Sequence, residues 1–135
     1  MLRPLDDKTL VSGQISADDL SSLRDQGVTV IVNHRPDGEE PGQPAGAEIM
    51  AEAERLGIAY RHEPIIRGIG PADVETMRDS LQACGDGKLL AFCRSGTRST
   101  LVWALARAED GVPRHEIERC AQAAGVDLMP IAHLL

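Results

Sequence analysis

Two uninterrupted apolar runs constrain the fold of this chain most strongly. Residues 28–33 read VTVIVN and residues 88–93 read KLLAFC. Aliphatic runs of this length without polar alternation are typical of parallel strands that are buried on both faces. Segments with helical periodicity lie between and around these runs, so that strands alternate with helices. The sequence therefore predicts one α/β domain over residues 1–135, with a mostly parallel sheet of four to five strands and helices on both faces.

The other predicted elements follow from periodicity and from Gly and Pro signals. Weak or short strands are predicted at residues 9–14 and 58–65. Helices are predicted at residues 16–27, 45–56, 72–83, 98–108 and 114–124, with a last short helix near the C-terminus. Aromatic residues make up only 2% of the chain, so Ala, Leu, Ile and Val must form the core, and Trp103 is expected there.

Charge and composition exclude several classes of function. The net charge is −7 and the pI is about 5.0, which is unlike a protein that binds nucleic acid. No apolar run approaches the ~18 residues of a membrane span, and the first ten residues lack a signal-peptide core. The sequence thus predicts a cytoplasmic protein without nucleic-acid or membrane partners. No Cys/His cluster has zinc-ligand spacing, so neither a metal nor an organic cofactor is expected.

Residues 93–98, CRSGTR, join the second apolar run to a helix. Main-chain N–H groups in such a loop can form an anion-binding nest, to which the helix N-terminus and two arginines add positive charge. The same groups stabilise a cysteine thiolate, so Cys93 is predicted to be a reactive nucleophile. Cys84 and Cys120 have no basic loop beside them and are predicted to be structural.

A second polar loop, residues 33–40 (NHRPDGEE), follows the first apolar run. The carboxyl ends of parallel strands share one edge of a sheet, so the two loops are expected to lie side by side. In a functional loop, Asn33 would orient the cysteine loop, and Arg35 would pair with Asp37 or reach the anion. The alternative is an ordinary strand-end loop with a Pro-Asp-Gly turn. Glu39 and Glu40 are expected to be solvated. His62 is predicted to be a hydrogen-bonded structural residue rather than a partner of Cys93.

Three motifs in this order, NHRPDGEE, GIAY and FCRSGTRS, resemble a small bacterial family first described as domain of unknown function 442. The resemblance covers roughly residues 5–107. It implies a fold like that of dual-specificity phosphatases, within the protein tyrosine phosphatase class. It also implies a domain that occurs alone or fused ahead of a persulfide dioxygenase with a β-lactamase fold. Family members are described both as sulfurtransferases and as phosphatases.

Two details favour sulfur transfer. Four residues separate Cys93 from Arg98, as in the rhodanese sulfurtransferases, whereas cysteine phosphatases have five. The resemblance also places Arg67 where dual-specificity phosphatases carry an Asp general acid, and the next acid, Asp73, is expected to cap a helix. The first hypothesis is therefore a sulfurtransferase that moves sulfane sulfur from thiosulfate or glutathione persulfide through a Cys93 persulfide. A persulfide dioxygenase is the candidate partner.

Two alternatives stay open: a phosphatase that acts through a Cys93 phosphocysteine, and a non-catalytic anion sensor. All three hypotheses use the same residues. Cys93 and Arg98 are predicted to be catalytic. The predicted substrate-binding residues are Arg94, Ser95, Gly96, Thr97, Ser99, Arg67 and Arg35.

Overall fold

The structure, a computed structural model, describes residues 2–135 and contains one five-stranded sheet. The strands are β1 (Arg3–Pro4), β2 (Thr9–Ser12), β3 (Val28–Asn33), β4 (Ala59–His62) and β5 (Lys88–Phe92). Their order across the sheet is β1-β2-β5-β3-β4, and only β1 runs antiparallel to its neighbour. The predicted α/β class and the mostly parallel sheet are therefore confirmed. The two apolar runs, β3 and β5, lie next to each other in its centre.

Helices cover both faces of the sheet, as predicted. They are α1 (Leu20–Asp25), α2 (Gly46–Leu56), α3 (Pro71–Ala83), α4 (Thr97–Glu109) and α5 (Arg114–Ala123). Short 3₁₀ helices precede α1 (Ala17–Asp19) and end the fold (Met129–Leu134). Helices α1 and α2 pack on one face of the sheet, and α3, α4 and α5 pack on the other. Trp103 lies in α4 and is buried, as expected.

A β-bulge in β3 sets which residues face which layer of helices. Val28 and Val30 pair with the consecutive residues Lys88 and Leu89, so Thr29 is an extra residue in the strand. Val28 consequently packs with α1 and α2, whereas Val30 packs with α3 and α4, although the two are separated by one residue. A Cβ at Gly87 would lie 2.4 Å from the Thr29 side chain, so Gly87 provides the space that the bulge needs.

The structure differs from the sequence prediction mainly at element ends. Strand β4 ends at His62, before the predicted end at residue 65, although the Glu63 and Ile65 N–H groups still donate to the Asn33 and His34 carbonyls (2.9 Å each). The two-residue strand β1 was not predicted, since so short a strand has no periodicity to detect. Within residues 2–135, no helix is both long and apolar enough to cross a membrane.

Candidate active site

Cys93 directly follows β5, at the edge of the sheet where the parallel strands end. Its N–H donates to the Ser12 carbonyl (3.4 Å), which continues the ladder toward β2. Only 1% of its surface is exposed, so a substrate can reach the sulfur only if neighbouring side chains move. The prediction of a reactive nucleophile assumes an accessible sulfur, and Cys93 is less accessible than that.

The peptide groups of the cysteine loop point their N–H groups inward. The Arg94 carbonyl lies against Gly13, where a Cβ would approach the oxygen to 2.8 Å, and the Ser95 carbonyl accepts a hydrogen bond from Arg3 Nη2 (2.6 Å). In a trans peptide the next N–H points the opposite way from the carbonyl. The Gly96 N–H accordingly donates to Cys93 Sγ at 3.1 Å. One amide of the predicted nest, that of Gly96, is therefore bonded to the sulfur.

Gly96 ends the loop in the left-handed region, with φ at 93°, and α4 begins at the next residue. Its conformation explains the glycine, because other residues rarely adopt it. Ser99 lies inside α4, whose N-cap is Gly96. Thr97 and Ser95 lie at the exposed rim, where the Ser95 hydroxyl donates to Thr97 Oγ1 (3.1 Å).

Two acceptors hold the guanidinium of Arg98 beside the loop. Its Nη1 donates to the Ile65 carbonyl (2.9 Å) and its Nη2 to Glu39 Oε1 (2.8 Å). The side chain is 24% exposed. Arg94, by contrast, is 65% exposed and forms only a long ion pair with Glu40 (3.4 Å). Of the two predicted anion-binding arginines, Arg98 therefore has the more and the shorter contacts with the protein.

Arg35 is buried, and each guanidinium nitrogen already donates to a side chain. Its Nε donates to Glu39 (2.8 Å), its Nη2 to Glu40 (2.7 Å) and its Nη1 to Gln14 (3.0 Å). The predicted Arg35–Asp37 pair is wrong. Asp37 instead accepts the Gly46 N–H at the start of α2 (2.8 Å). Substrate binding by Arg35 stays a prediction, and three of its five guanidinium N–H groups already donate to protein side chains.

Glu39 and Glu40 are exposed, as predicted, but both take part in ion pairs. Glu39 Oε1 bridges Arg35 and Arg98, and Glu40 connects Arg35 to Arg94. The hydrogen bond from Arg98 is the main cause that holds the pKa of Glu39 below its usual range. The two predicted loops therefore meet through a network of glutamates and arginines at the mouth of the nest.

Asn33 does not orient the cysteine loop, contrary to the prediction. Its amide donates to the Tyr60 hydroxyl (2.9 Å), and its carbonyl oxygen accepts the N–H of Arg35 (2.8 Å). The alternation along β3 explains this, because Asn33 points to the α2 side of the sheet. His34 points to the opposite side, with Val30 and Val32, toward α4.

His34 contacts the cysteine loop from that side. Its Nδ1 lies 2.8 Å from Ser99 Oγ, and both residues are buried. Burial, helped by the charge of Arg98, lowers the pKa of His34 to about 3. The imidazole is therefore neutral at physiological pH. The sequence assigns His34 no role, because nothing in it shows that β3 and α4 bring these residues together.

The acids near the site have other partners. Arg67 is exposed, its role in substrate binding stays a prediction, and its guanidinium cannot act as a general acid because it does not lose its proton. Asp73 accepts the Gly70 N–H (2.8 Å), which confirms its role at the start of α3. Glu63 accepts the Ser80 hydroxyl (3.1 Å), and burial raises the pKa of its carboxyl.

The remaining predictions concern residues outside the loop. His62 Nε2 is hydrogen-bonded to the Arg35 carbonyl (2.9 Å), which confirms a structural role. Cys84 is buried and its thiol donates to the Leu81 carbonyl (3.0 Å), and Cys120 is half-buried. Within residues 2–135, no three His, Cys, Asp or Glu side chains are grouped so that they could hold a metal ion.

Arg3 and Gly13 are the other residues that sequence reasoning missed. Arg3 bridges the Ser95 carbonyl and the Ala124 carbonyl after α5 (2.7 Å), so it connects the cysteine loop to the end of the fold. Gly13 allows the Arg94 carbonyl to approach β2 closely. Both contacts are long-range, and no spacing in the sequence indicates them.

Known proteins resemble this chain in sequence and in fold. Residues 1–110 match the family described as beta-lactamase hydrolase-like protein, phosphatase-like domain. A beta-lactamase hydrolase-like protein of Xylella fastidiosa (strain Temecula1) is 36% identical over 126 residues, which are 92% of this chain and 29% of that protein. The chain thus spans less than a third of the length of this curated relative.

Solved structures also resemble this chain in fold. A protein of Neisseria meningitidis Z2491, provisionally named a phosphatase, is 39% identical, with a TM-score of 0.80 over 96% of this chain and 92% of that one. The structure of Tk-PTP, at 19% identity, has a TM-score of 0.67 over 91% of this chain and 84% of that one, and shows likeness of fold alone. The resemblance inferred from the three motifs and the predicted phosphatase-like fold are therefore confirmed.

Proposed function

Because the chain belongs to the family of phosphatase-like domains of beta-lactamase hydrolase-like proteins, we propose that it is a cysteine-dependent phosphatase that acts through a Cys93 phosphocysteine. The observation that carries the proposal is the geometry of the cysteine loop. The sulfur is buried at the start of the loop, the Gly96 N–H donates to it, and hydrogen bonds to Ile65 and Glu39 fix the guanidinium of Arg98 at the other end of the loop. This reverses the order of the two leading hypotheses drawn from the sequence.

The reaction has two steps. The Cys93 thiolate attacks phosphorus, the bond from phosphorus to the ester oxygen breaks, and the leaving oxygen takes the electron pair. Water then attacks the phosphocysteine, the P–S bond breaks, and phosphate leaves as the thiolate re-forms. Inward N–H groups of the loop and the Arg98 guanidinium stabilise the charge on the phosphoryl oxygens in both steps.

Leaving-group protonation sets the substrate class. Position 67 holds Arg rather than an acid, and Asp73 and Glu63 are bound to other groups. A positioned acid typically contributes a factor of ~10²–10⁴ in rate. We therefore propose substrates whose leaving group needs no proton, such as aryl or acyl phosphates.

A series of aryl and alkyl phosphates with different leaving-group pKa values tests this proposal. We expect the rate to fall steeply as the leaving group becomes more basic, and Cys93→Ser to abolish turnover of every ester. Arg67→Asp should raise the rate on alkyl phosphates at least tenfold, since a well-placed acid supplies ~10²–10⁴. Arg67→Asn is the matched control, because it removes the same charge without adding an acid. Turnover that is unaffected by Cys93→Ser would contradict the proposal.

Sulfur transfer remains the second candidate, and the four-residue spacing between Cys93 and Arg98 favours it. The Cys93 thiolate would attack the outer sulfur of thiosulfate, the S–S bond would break, and sulfite would leave with the electron pair. A thiol such as glutathione would then take the sulfur from the Cys93 persulfide. This reaction needs no general acid, because sulfite is a stable anion.

Mass spectrometry of the Cys93 peptide separates the two candidates. The protein is incubated with an aryl phosphate, with thiosulfate, or with glutathione persulfide, and quenched in acid. Added phosphoryl supports the phosphatase, and one added sulfur atom supports the transferase. Sulfur transfer at rates that Cys93→Ser does not change would remove the second candidate. Binding of these anions without any adduct or turnover would favour a sensor.

A further inference from the structure

Trp103 carries a buried hydrogen-bond donor that the fold does not use. Only 2% of the residue is exposed, and within residues 2–135 its Nε1 is one of two buried side-chain polar atoms without a partner. The other is the Thr9 hydroxyl, whose proton can turn toward a nearby acceptor, whereas its ring fixes the direction of an indole N–H. Buried donors are almost always paired, because an unpaired donor loses its hydration without compensation. The Trp103 N–H is therefore available to an acceptor from outside the chain.

Trp103 lines a pocket of about 290 Å³ between residues 6–8, the C-terminal half of α4 and helix α5. Two other residues of the pocket, Val112 and Cys120, are half-buried, and Ile117 is fully buried. The buried part of the pocket is thus apolar. The indole N–H is the strongest hydrogen-bond donor among these four side chains, since a thiol donates only weakly.

The charged residues of the pocket are exposed or half-buried, and they carry both signs. They are the carboxylates Asp6, Asp7 and Glu116 and the cations Lys8 and Arg107. No charge is buried together with the indole ring. An ion beside the ring would therefore lose its hydration without gaining a buried counter-charge. The pocket consequently favours an uncharged ligand.

This pocket lies at the opposite edge of the parallel sheet from Cys93. Lys8 directly precedes β2, and Arg107 lies in the last turn of α4. Cys93 follows the end of β5, and Arg98 lies in the first turn of α4. The pocket is therefore a second site, and what binds there does not depend on the reaction proposed for Cys93.

We propose that this pocket binds a small uncharged molecule with an apolar body and a carbonyl oxygen that accepts the hydrogen bond of Trp103 Nε1. The apolar body packs against Ile117, Val112 and Cys120. A carbonyl oxygen accepts without bringing a donor that would itself need a partner. A buried water needs roughly two to four polar partners, and the apolar part of this pocket provides fewer.

The NMR signal of the indole N–H tests the proposal directly, because the chain contains a single tryptophan. Isotope-labelled protein is titrated with cyclohexanone and, separately, with methylenecyclohexane, in which a CH₂ group replaces the oxygen in a molecule of nearly the same shape. We expect cyclohexanone to move the indole proton downfield until the signal no longer changes, because the proton becomes hydrogen-bonded to oxygen. Methylenecyclohexane should cause no downfield shift.

Protection of Cys120 is a second measurement that does not need the tryptophan signal. Labelling by N-ethylmaleimide is quantified on the Cys120 peptide. Cyclohexanone should slow the labelling of the wild type, and should slow it much less in Trp103→Phe, which keeps an aromatic ring but has no N–H.

Two substitutions show whether the pocket itself is responsible. Val112→Phe fills the pocket and should abolish both the shift and the protection. Met50→Phe is the matched control, because it introduces the same side chain on α2, which covers the other face of the sheet, and should change neither effect. Circular dichroism shows whether each variant is folded. If Val112→Phe fails to fold, the two probes on the wild type and Trp103→Phe decide the question.

An indole signal that does not move up to the solubility of cyclohexanone overturns the proposal, as does an equal downfield shift with the hydrocarbon. An indole proton that exchanges with water and does not respond to cyclohexanone shows that the site holds water only, and overturns the proposal as well. Success or failure of phosphate turnover by Cys93 leaves these outcomes unchanged, so the two proposals are tested separately.

Discussion

The backbone of Gly96 has a φ of 93°, and a Cβ there would contact the guanidinium of Arg3. We expect Gly96→Ala to lower the free energy of unfolding by about 1–3 kcal/mol through backbone strain and to reduce turnover strongly. Denaturant unfolding and a steady-state assay measure the two effects. Gly111→Ala is the matched control, because Gly111 has a φ of 87° but nothing within 4 Å of its Cβ. Equal loss of turnover in both variants would show that strain alone, not the cysteine loop, is responsible.

The sequence predicted the residues of the cysteine loop better than the residues that support it. Cys93, Gly96 and Arg98 follow from the motif, since their chemistry depends on local spacing. His34 and Arg3 approach from distant segments, so their contacts depend on the packing of β1, β3 and α4. For the same reason the sequence could not show that Arg35 pairs with Glu39 and Glu40 rather than with Asp37.

The short strand β1 supports the cysteine loop through Arg3. Because Arg3 bridges two carbonyls, we expect Arg3→Ala to lower the free energy of unfolding by about 1–2 kcal/mol and to slow turnover. Arg3→Lys should restore only part of the lost stability and turnover, since a single ammonium does not reproduce the planar set of N–H donors of a guanidinium. Arg55→Ala removes an exposed arginine paired only with Glu52 and should change neither property. Wild-type turnover in Arg3→Ala would contradict the supporting role.

Glu39, in the loop of residues 34–45, forms ion pairs with both Arg35 and Arg98. We expect Glu39→Gln to lower the free energy of unfolding by about 1–2 kcal/mol at pH 7, because buried Arg35 loses a charged acceptor. The pKa of Glu39 is lowered in the folded state, so this stabilisation is present above pH 4.5 and is lost as pH falls through the lowered pKa. The difference between wild type and Glu39→Gln should therefore vanish in acid. Urea unfolding at several pH values measures it.

Glu40→Gln is the matched control for this experiment. Its carboxylate also binds Arg35, but its side chain is 43% exposed and its contact with Arg94 is long. We expect a smaller loss of stability than in Glu39→Gln. A larger loss would mean that Glu40 rather than Glu39 holds the network together.

Element types were predictable because β3 and β5 lack polar alternation and the helices have clear periodicity. Element ends were less predictable, since they depend on the partner strand. β4 is shorter than its apolar pattern predicts, and the two residues of β1 are a strand only through their pairing with β2. The layer that each residue faces was also hidden, because the bulge at Thr29 changes the alternation without a sequence signal.

The stability of the whole molecule in acid depends on His34. The pKa of His34 is about 3 in the folded state, whereas the ordinary value for histidine is 6.5. Between these two pH values, only the unfolded chain therefore has a protonated His34. We expect the free energy of unfolding to fall by about 1.4 kcal/mol per pH unit from this group as pH decreases from 6.5 toward 3. Urea unfolding of wild type and His34→Asn isolates this contribution, since Glu63 and Glu39 titrate in both. Parallel curves for the two proteins would contradict it.

The extra residue at Thr29 lets β3 change length at its start without turning the residues at its end. Without Thr29, Val28 and Val30 would be consecutive, and ordinary alternation would still direct Val28 toward α1 and α2 and Val30 toward α3 and α4. Asn33 and His34 would therefore keep their sides of the sheet. Relatives that keep this chemistry should tolerate the loss of this one residue, and the position of Gly87 should then accept a side chain.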